Sequence, residues 1–329
     1  MPYFHVVSTL PHTLNPLAQA EPRLVYNLLF HASQQALLKT AANPEYLGAK
    51  IGASSLLHTW SSRMTLHPHV HSIVQGAGPS LDGEQWVAAN DSFFLPIPVL
   101  SAEFKRIFIR ALEKAYRQSE LELHGTLEPM RHPVYFNDFL DCLWQKKWVV
   151  FAKPPFGGPK QVLKYLGRYT HRVAIANERL LRTEGEFVLF RYKDYNRGGR
   201  WRTERIHATE FIRRFLLHIL PYRFVRIRYW GLLANRYRKE NLERCRAQLG
   251  IPAPEPPPPG ESAVDRCLRL TGKDLSRCTV CGEGRLLLRY TIPRPCFSEL
   301  VSRPRRRGLP PPPRSPVISR GPPQLPCAP

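Results

Sequence analysis

Three histidines occupy alternating positions in His67-Pro68-His69-Val70-His71-Ser72-Ile73-Val74. On a β-strand, residues i and i+2 face the same way. The His69 and His71 rings would then stand side by side, about 7 Å apart at Cβ, with Val70 turned to the opposite face. Two imidazoles so placed can bind one divalent ion. Such ligands suit Zn, Mn, Co or Ni, and Mg is accepted when phosphate oxygens and waters complete its shell. The plainer alternative is a cluster of polar residues at a strand mouth. The helical His-Glu-x-x-His pattern of zinc peptidases is absent.

A second constellation lies in Gln161-Val162-Leu163-Lys164-Tyr165-Leu166-Gly167-Arg168-Tyr169. Gln161, Tyr165 and Tyr169 fall at i, i+4 and i+8 and share one helix face, whereas Val162, Leu163 and Leu166 lie on another that can pack on a sheet. Lys164, Arg168 and Arg172 form an adjacent basic row. A tyrosine hydroxyl can attack a phosphodiester and become covalently joined to it, which conserves the bond energy for a later joining step. A phenol with a pKa of about 10 is a weak nucleophile at neutral pH. An ion on the histidines would compensate by polarising the phosphate. Two tyrosines allow two successive cleavages, and Gln161 can offer an oxygen to the same ion. By itself, Tyr at i and i+4 reads as ring packing; the histidines and the net charge shift that reading towards chemistry.

These groups need elements to hold them. Gly157-Gly158 makes a turn, and Pro159 suits the first position of a helix running to Tyr169. Gly167 weakens that helix by about 1 kcal/mol relative to Ala. Strands are expected at Tyr3–Thr9, His69–Val74, Trp148–Ala152, Val173–Ala176, Phe187–Tyr192, Trp201–His207 and Phe224–Tyr229. Phe93–Val99 reads as extended and edge-like because of its prolines. Helices are expected at Glu21–Thr40, from a cap at Ser101 to about Gln118, at Phe136–Lys146 and at Thr209–Leu217. This mixture lacks a regular βαβ repeat and predicts an α+β domain with a largely antiparallel sheet over residues 1–250. Of the 33 prolines, 18 lie from Pro252 onward. That predicts a stiff linker over 251–265, a small cysteine-containing segment over 266–296 and a disordered Pro/Arg-rich tail over 297–329.

Lys and Arg number 48 against 26 acidic residues, a net charge of +22 with a pI near 10.1. A polyanion is the natural partner of such a chain, nucleic acid before an anionic membrane surface. The basic, aromatic stretch with Arg226 and Arg228 reads as a DNA contact. So does a hairpin-like cluster of Tyr192, Tyr195, Arg197, Arg200, Trp201 and Arg202 around Gly198-Gly199, which reads equally as a plain turn. No apolar run is long enough to span a bilayer, and the N-terminus is not a secretory signal. Seven scattered cysteines argue against a disulfide framework and for a reducing cytoplasm.

His-hydrophobe-His on a strand followed by Tyr-x-x-x-Tyr on a later helix resembles the HUH endonucleases, and within them the two-tyrosine rolling-circle transposases of bacterial insertion sequences. The wider wording agrees over His5–Ala18, Leu57–Val74, Lys153–Asn177 and Phe224–Arg238, and the resemblance spans about residues 3 to 250. It implies a ferredoxin-like antiparallel sheet with His69 and His71 on a central strand and Mg or Mn bound there. It implies Gln161 as third ligand with His67 as runner-up, and Tyr165 and Tyr169 as nucleophiles. It further implies single-stranded DNA as partner, 5′-phosphotyrosine intermediates, and a cytoplasmic, nucleoid-associated enzyme. Members usually begin with a cysteine-rich zinc-binding segment that has no counterpart ahead of Tyr3. Cys278 and Cys281 match half of a C-terminal zinc knuckle, with Cys267 and Cys296 as poorly spaced partners. Two rivals stand beside this reading: a catalytically idle, truncated nucleic-acid-binding remnant, and a metal hydrolase that uses water instead of tyrosine.

Overall fold

A computed structural model describes residues 2–90, 94–153, 173–253, 256, 258–278 and 280–287. Strand β1 (Tyr3–Thr9) matches the expected span and sends Phe4, Val6 and Ser8 to the interior. Two helices follow, α1 (Asn15–Ala20) and α2 (Pro22–Ala42). Proline in the first turn of each costs nothing, because that N–H has no helical acceptor. Helix α2 buries Val25, Leu29, Phe30, Ala36 and Leu37 on one side.

Strand β2 (Gly52–Trp60) was not foreseen. Its residues are buried on both faces up to Trp60, so the polar–apolar alternation that marks a half-exposed strand is missing. Strand β3 (Leu66–Gln75) starts three residues before the expected His69 and runs through Pro68. A proline has no N–H for the ladder and belongs at edges or bulges. Here the β2/β3 register slips between His58↔His69 and Trp60↔Leu66, which leaves one extra residue on β3 at that point. Pro68 uses only its carbonyl, accepting from Leu10 N at 3.1 Å.

Strands β4 (Ala77–Pro79) and β5 (Trp86–Ala88) form a small separate pair. Helix α3 (Ile97–Arg117) corrects two expectations. Ile97–Val99 is helical instead of extended, since Pro98 sits in the first turn where proline is tolerated. Ser101 is inside the helix and does not cap it; its hydroxyl donates to Trp148 O at 2.7 Å. Helix α4 (Pro133–Gln145) and strand β6 (Val149–Lys153) lie within a few residues of expectation.

Strand β7 (Leu180–Glu184), β8 (Phe187–Asp194) and β9 (Arg200–His207) make a second antiparallel sheet. It carries helix α5 (Ala208–Leu216) and a small core of Met64, Ala174 and Phe190. Val173–Ala176, expected as a strand, is not one: Ala174 holds a φ of 55°, and a left-handed residue breaks the pleat. Strand β10 (Ile227–Gly231) and helix α6 (Arg238–Gln248) follow.

The main sheet runs β10-β2-β3-β1-β6 and every neighbouring pair is antiparallel. Without β10, the order β2-β3-β1-β6 along a strand–helix–strand–strand–helix–strand chain is the ferredoxin-like arrangement. Strand β3, with the three histidines, is the middle strand. Its Val70 and Val74 join α2, α3 and α4 residues in one core, so the helices cover one face. His67, His69 and His71 are turned to the other.

The chain divides into two units, Met1–Pro254 and Glu255–Pro329. In the second, helix α7 (Ala263–Thr271) begins inside the stretch read as linker. It has a reciprocal cap between Ser262 and Asp265 and ends at Gly272, φ 70°.

Gly231 closes β10 with φ 60°, and a Cβ there would meet Ile51 O at 2.0 Å. The left-handed backbone alone disfavours a side chain by about 1–3 kcal/mol, and the carbonyl clash adds to it. Gly231→Ala is expected to lower unfolding stability by roughly 2–4 kcal/mol. Urea unfolding would measure this, and an unchanged midpoint would show that β10 can shift freely.

Candidate functional site

The face of the sheet opposite the helices gathers imidazoles from three adjacent strands. His58 on β2 is directly opposite His69 on β3, and Val7 of β1 is opposite His71. One ring nitrogen from each of His58, His69 and His71 lies within 4.8 Å of the other two. Their ring centroids are 5.4 Å (His58–His69), 4.5 Å (His58–His71) and 4.8 Å (His69–His71) apart. His58 is buried, stacked on Trp60 at 4.5 Å.

Hydrogen bonds set the tautomers. His69 Nδ1 is 2.6 Å from the carbonyl oxygen of His67, so it must carry the proton and donate, leaving the Nε2 lone pair for a ligand role. His5 Nε2 is 2.8 Å from His71 Nδ1, so these two rings share a single proton between them. Burial pushes His5 and His69 down to about 4, the former aided by the Lys153 ammonium. Burial first, and the neighbouring imidazoles second, hold His71 well below the ordinary histidine range. His5, His69 and His71 are therefore neutral at physiological pH, the form in which imidazole binds metal.

These residues fit a divalent ion. Bonds of about 2.1 Å require ligand nitrogens roughly 3 Å apart, so the rings need to close by an ångström or two, within the reach of side-chain rotation. Three imidazole nitrogens leave the remaining positions to oxygens. Among the described residues, this is the one group of three or more His, Cys, Asp or Glu with ligand atoms so close together.

His69 and His71 stand side by side, as the alternation implies. His67 is on the same face with its ring 5.2 Å from His69, but its Nδ1 is paired with His12 Nε2 at 3.0 Å and it is not in the three-ring group. Gln161, Tyr165, Tyr169, Lys164, Arg168 and Arg172 lie outside the described residues. Arg228 turns to the helix side of the sheet, opposite the histidines: Nη2 donates to Asn27 Oδ1 at 2.5 Å and the guanidinium lies 4.2 Å from the Phe30 ring. Arg226 is half-buried just before β10, its carbonyl accepting from Leu57 N at 3.0 Å. In the second unit, Val280 N donates to Cys278 Sγ at 3.4 Å and Gly284 N to Cys281 Sγ at 3.3 Å. Backbone hydrogen bonds from Gly284 and then Glu283 pull the Cys281 thiol below its usual range, but no third ligand joins the pair among the described residues.

His58 was missed by the reading of the residues. It sits alone in its strand, and nothing local distinguishes it from a packed core histidine; only its register opposite His69 reveals it. The histidines floor an open cavity of about 480 Å³ whose other wall includes Arg179, just before β7, Lys193 of β8, Tyr195 of the β8–β9 connection and Trp201 of β9. Of the hairpin-like cluster noticed in the sequence, Tyr195 and Trp201 thus line the cavity with the histidines.

Among the described residues no helix is long and apolar enough to cross a membrane. Residues 52–241 match the family model Y2_Tnp, described as "Putative transposase". The chain is 47% identical over 287 residues to "Putative transposase y4qJ" of Sinorhizobium fredii, covering 87% of this chain and 72% of that protein. It is 28% identical over 285 residues to the transposase for insertion sequence element IS801 of Pseudomonas savastanoi pv. phaseolicola, covering 85% of this chain and 66% of that one. No solved structure matches. A family model spanning more than half the chain, and a relative at 47% identity over 87% of it, settle its membership: this chain belongs to the Y2 family of insertion-sequence transposases.

Proposed function

We propose that the chain cleaves and rejoins single-stranded DNA in rolling-circle transposition, with Tyr165 and Tyr169 as nucleophiles and His58, His69 and His71 as ligands of Mg or Mn. The carrying observation is the three-imidazole floor of an open cavity in a transposase-family chain with a charge of +22. Bound there, the ion would supply Lewis-acid polarisation of the scissile phosphate. The protein's part is positional. The β-ladder fixes His58 against His69, the His67 carbonyl fixes the tautomer of His69, and basic side chains hold the backbone. The phenolic oxygen of one tyrosine then bonds to phosphorus as the P–O3′ bond breaks, the phenol proton goes to solvent, and the 3′ oxygen leaves and is protonated. The product is a 5′-phosphotyrosine and a free 3′-hydroxyl; the second tyrosine repeats the step on another strand. Gln161 is placed by this reading as a further oxygen ligand, and the site of action is the nucleoid.

Covalent capture tests this. Protein is mixed with labelled single strands from the ends of its element and Mn or Mg, then run on a denaturing gel. The expected result is a protein–DNA band that Tyr165→Phe Tyr169→Phe abolishes. Cleavage without that band would point to water as nucleophile. Binding to cognate ends without cleavage would mark the chain as an idle remnant.

A further inference from the structure

We infer that Tyr195 and Trp201 form a stacking clamp for an unpaired base next to the phosphate held over the histidines. The inference rests on the reading above that single-stranded DNA enters this cavity.

The rings are out of place for a soluble surface. Tyr195 is 72% exposed and Trp201 is 53% exposed, yet both line the cavity that holds His58, His69 and His71. Exposed aromatic area is unfavourable by about 25 cal/mol per Å² and concentrates where something binds. Neither ring serves the small core of the second sheet, which is made by Met64, Ala174 and Phe190. Both already have a cation nearby. Lys193 Nζ is 5.5 Å from the centre of the Tyr195 ring, and the Arg191 guanidinium is 5.2 Å from that of Trp201. A cation beside an aromatic plate, at the mouth of a cavity, provides both a phosphate contact and a face for a base.

The hairpin is held in place. Lys193 N donates to Ser62 Oγ at 2.6 Å, and Arg179 donates to the Ser62 carbonyl. Arg63 grips Glu204 of β9 with two bonds, at 2.9 and 2.7 Å, and Arg214 of α5 adds a third at 3.1 Å. Ser62 and Arg63 belong to the turn between β2 and β3, the strands that carry the histidines. The turn at Gly198 and Gly199, φ 71° and 69°, brings Trp201 of β9 back opposite Lys193 of β8. The clamp and the histidine floor therefore share one rigid connection. The cavity, about 480 Å³, lies in the range of about 300–1,000 Å³ that holds a small ligand. A base within a duplex cannot offer its face to a side chain, so the arrangement selects single strands.

The test uses the full chain and an oligothymidylate of about 15 residues carrying one 5-iodouracil, a length matched to one single-strand binding surface. Light-induced crosslinks, mapped by mass spectrometry, are expected on Tyr195 or Trp201. Trp201→Ala and Tyr195→Ala should each weaken equilibrium binding by roughly 5- to 100-fold, Trp201→Phe should recover most of the loss, and an abasic oligomer should bind all four proteins alike. Both positions are exposed, so a matching thermal midpoint confirms that each variant is folded. Crosslinks confined to other peptides, or an equal loss with the abasic oligomer, would overturn the clamp. The measurement needs neither metal nor cleavage. Failure of the covalent chemistry is thereby distinguished from failure of the clamp.

Discussion

Replacing His58 with alanine is expected to reduce metal-dependent cleavage by two to three orders of magnitude, as much as replacing His69. An ion that polarises a phosphate contributes several kcal/mol to the transition state. Each 1.4 kcal/mol is about tenfold in rate. The three rings each bring one nitrogen within 4.8 Å of the other two, although they come from two strands. The experiment pairs single-turnover cleavage with Mn binding measured by calorimetry. His58→Ala and His69→Ala should each weaken Mn binding and slow cleavage together. His67→Ala should change either by less than about tenfold, because its ring is engaged by His12 and lies outside the group. Unaltered Mn affinity in His58→Ala would mean that this ring only packs on Trp60 and that the third ligand lies elsewhere.

The second large effect concerns acid. In metal-free protein, His5 and His69 have pKa values pushed down to about 4 by burial, and His71 lies lower than the ordinary range for the same reason. Unfolded, each returns to about 6.5. The folded values are the lower ones, so the unfolded chain binds more protons across that interval and stability falls as pH falls. The contribution is complete above about pH 6.5 and is lost progressively down to about pH 4. Each group shifted by that span removes about 3 kcal/mol, so two of them consume much of a typical domain's stability. Urea midpoints measured in chelator between about pH 7 and pH 4.5 should drop steeply. Saturating Mn should raise the midpoint most at the upper end, where the rings are neutral and available. A flat profile would mean that the rings are solvated enough to charge in the folded state.

How far the residues alone led is clearest on β3. The alternation His67-x-His69-x-His71 is a property of one strand, so the adjacency of His69 and His71 follows from the pleat and needs no partner. The strands Tyr3–Thr9 and Phe187–Tyr192, the latter running on to Asp194, and helix α2 were legible in the same way, from the local pattern of each. The misreadings occur where the local pattern is silent or mixed. Strand β2 is buried on both faces and shows no alternation, Ile97–Pro98 looks extended until a helix is seen to start there, and Val173–Ala176 is interrupted by the positive φ of Ala174.

By itself, then, the sequence determined that this is a basic chain with an α+β domain, a pair of histidines facing one way on a strand, and the wording of a transposase. Only the tertiary structure decided that His58 joins the group, that Arg228 faces away from the histidines, and that Tyr195 and Trp201 look onto them. The physical reason is register. A side chain's direction along its own strand is set by a two-residue period. Which residue of another strand stands opposite it is set by ladder pairing, bulges and core packing, and by contacts as distant as Arg63 with Glu204, none of which any short stretch of chain encodes.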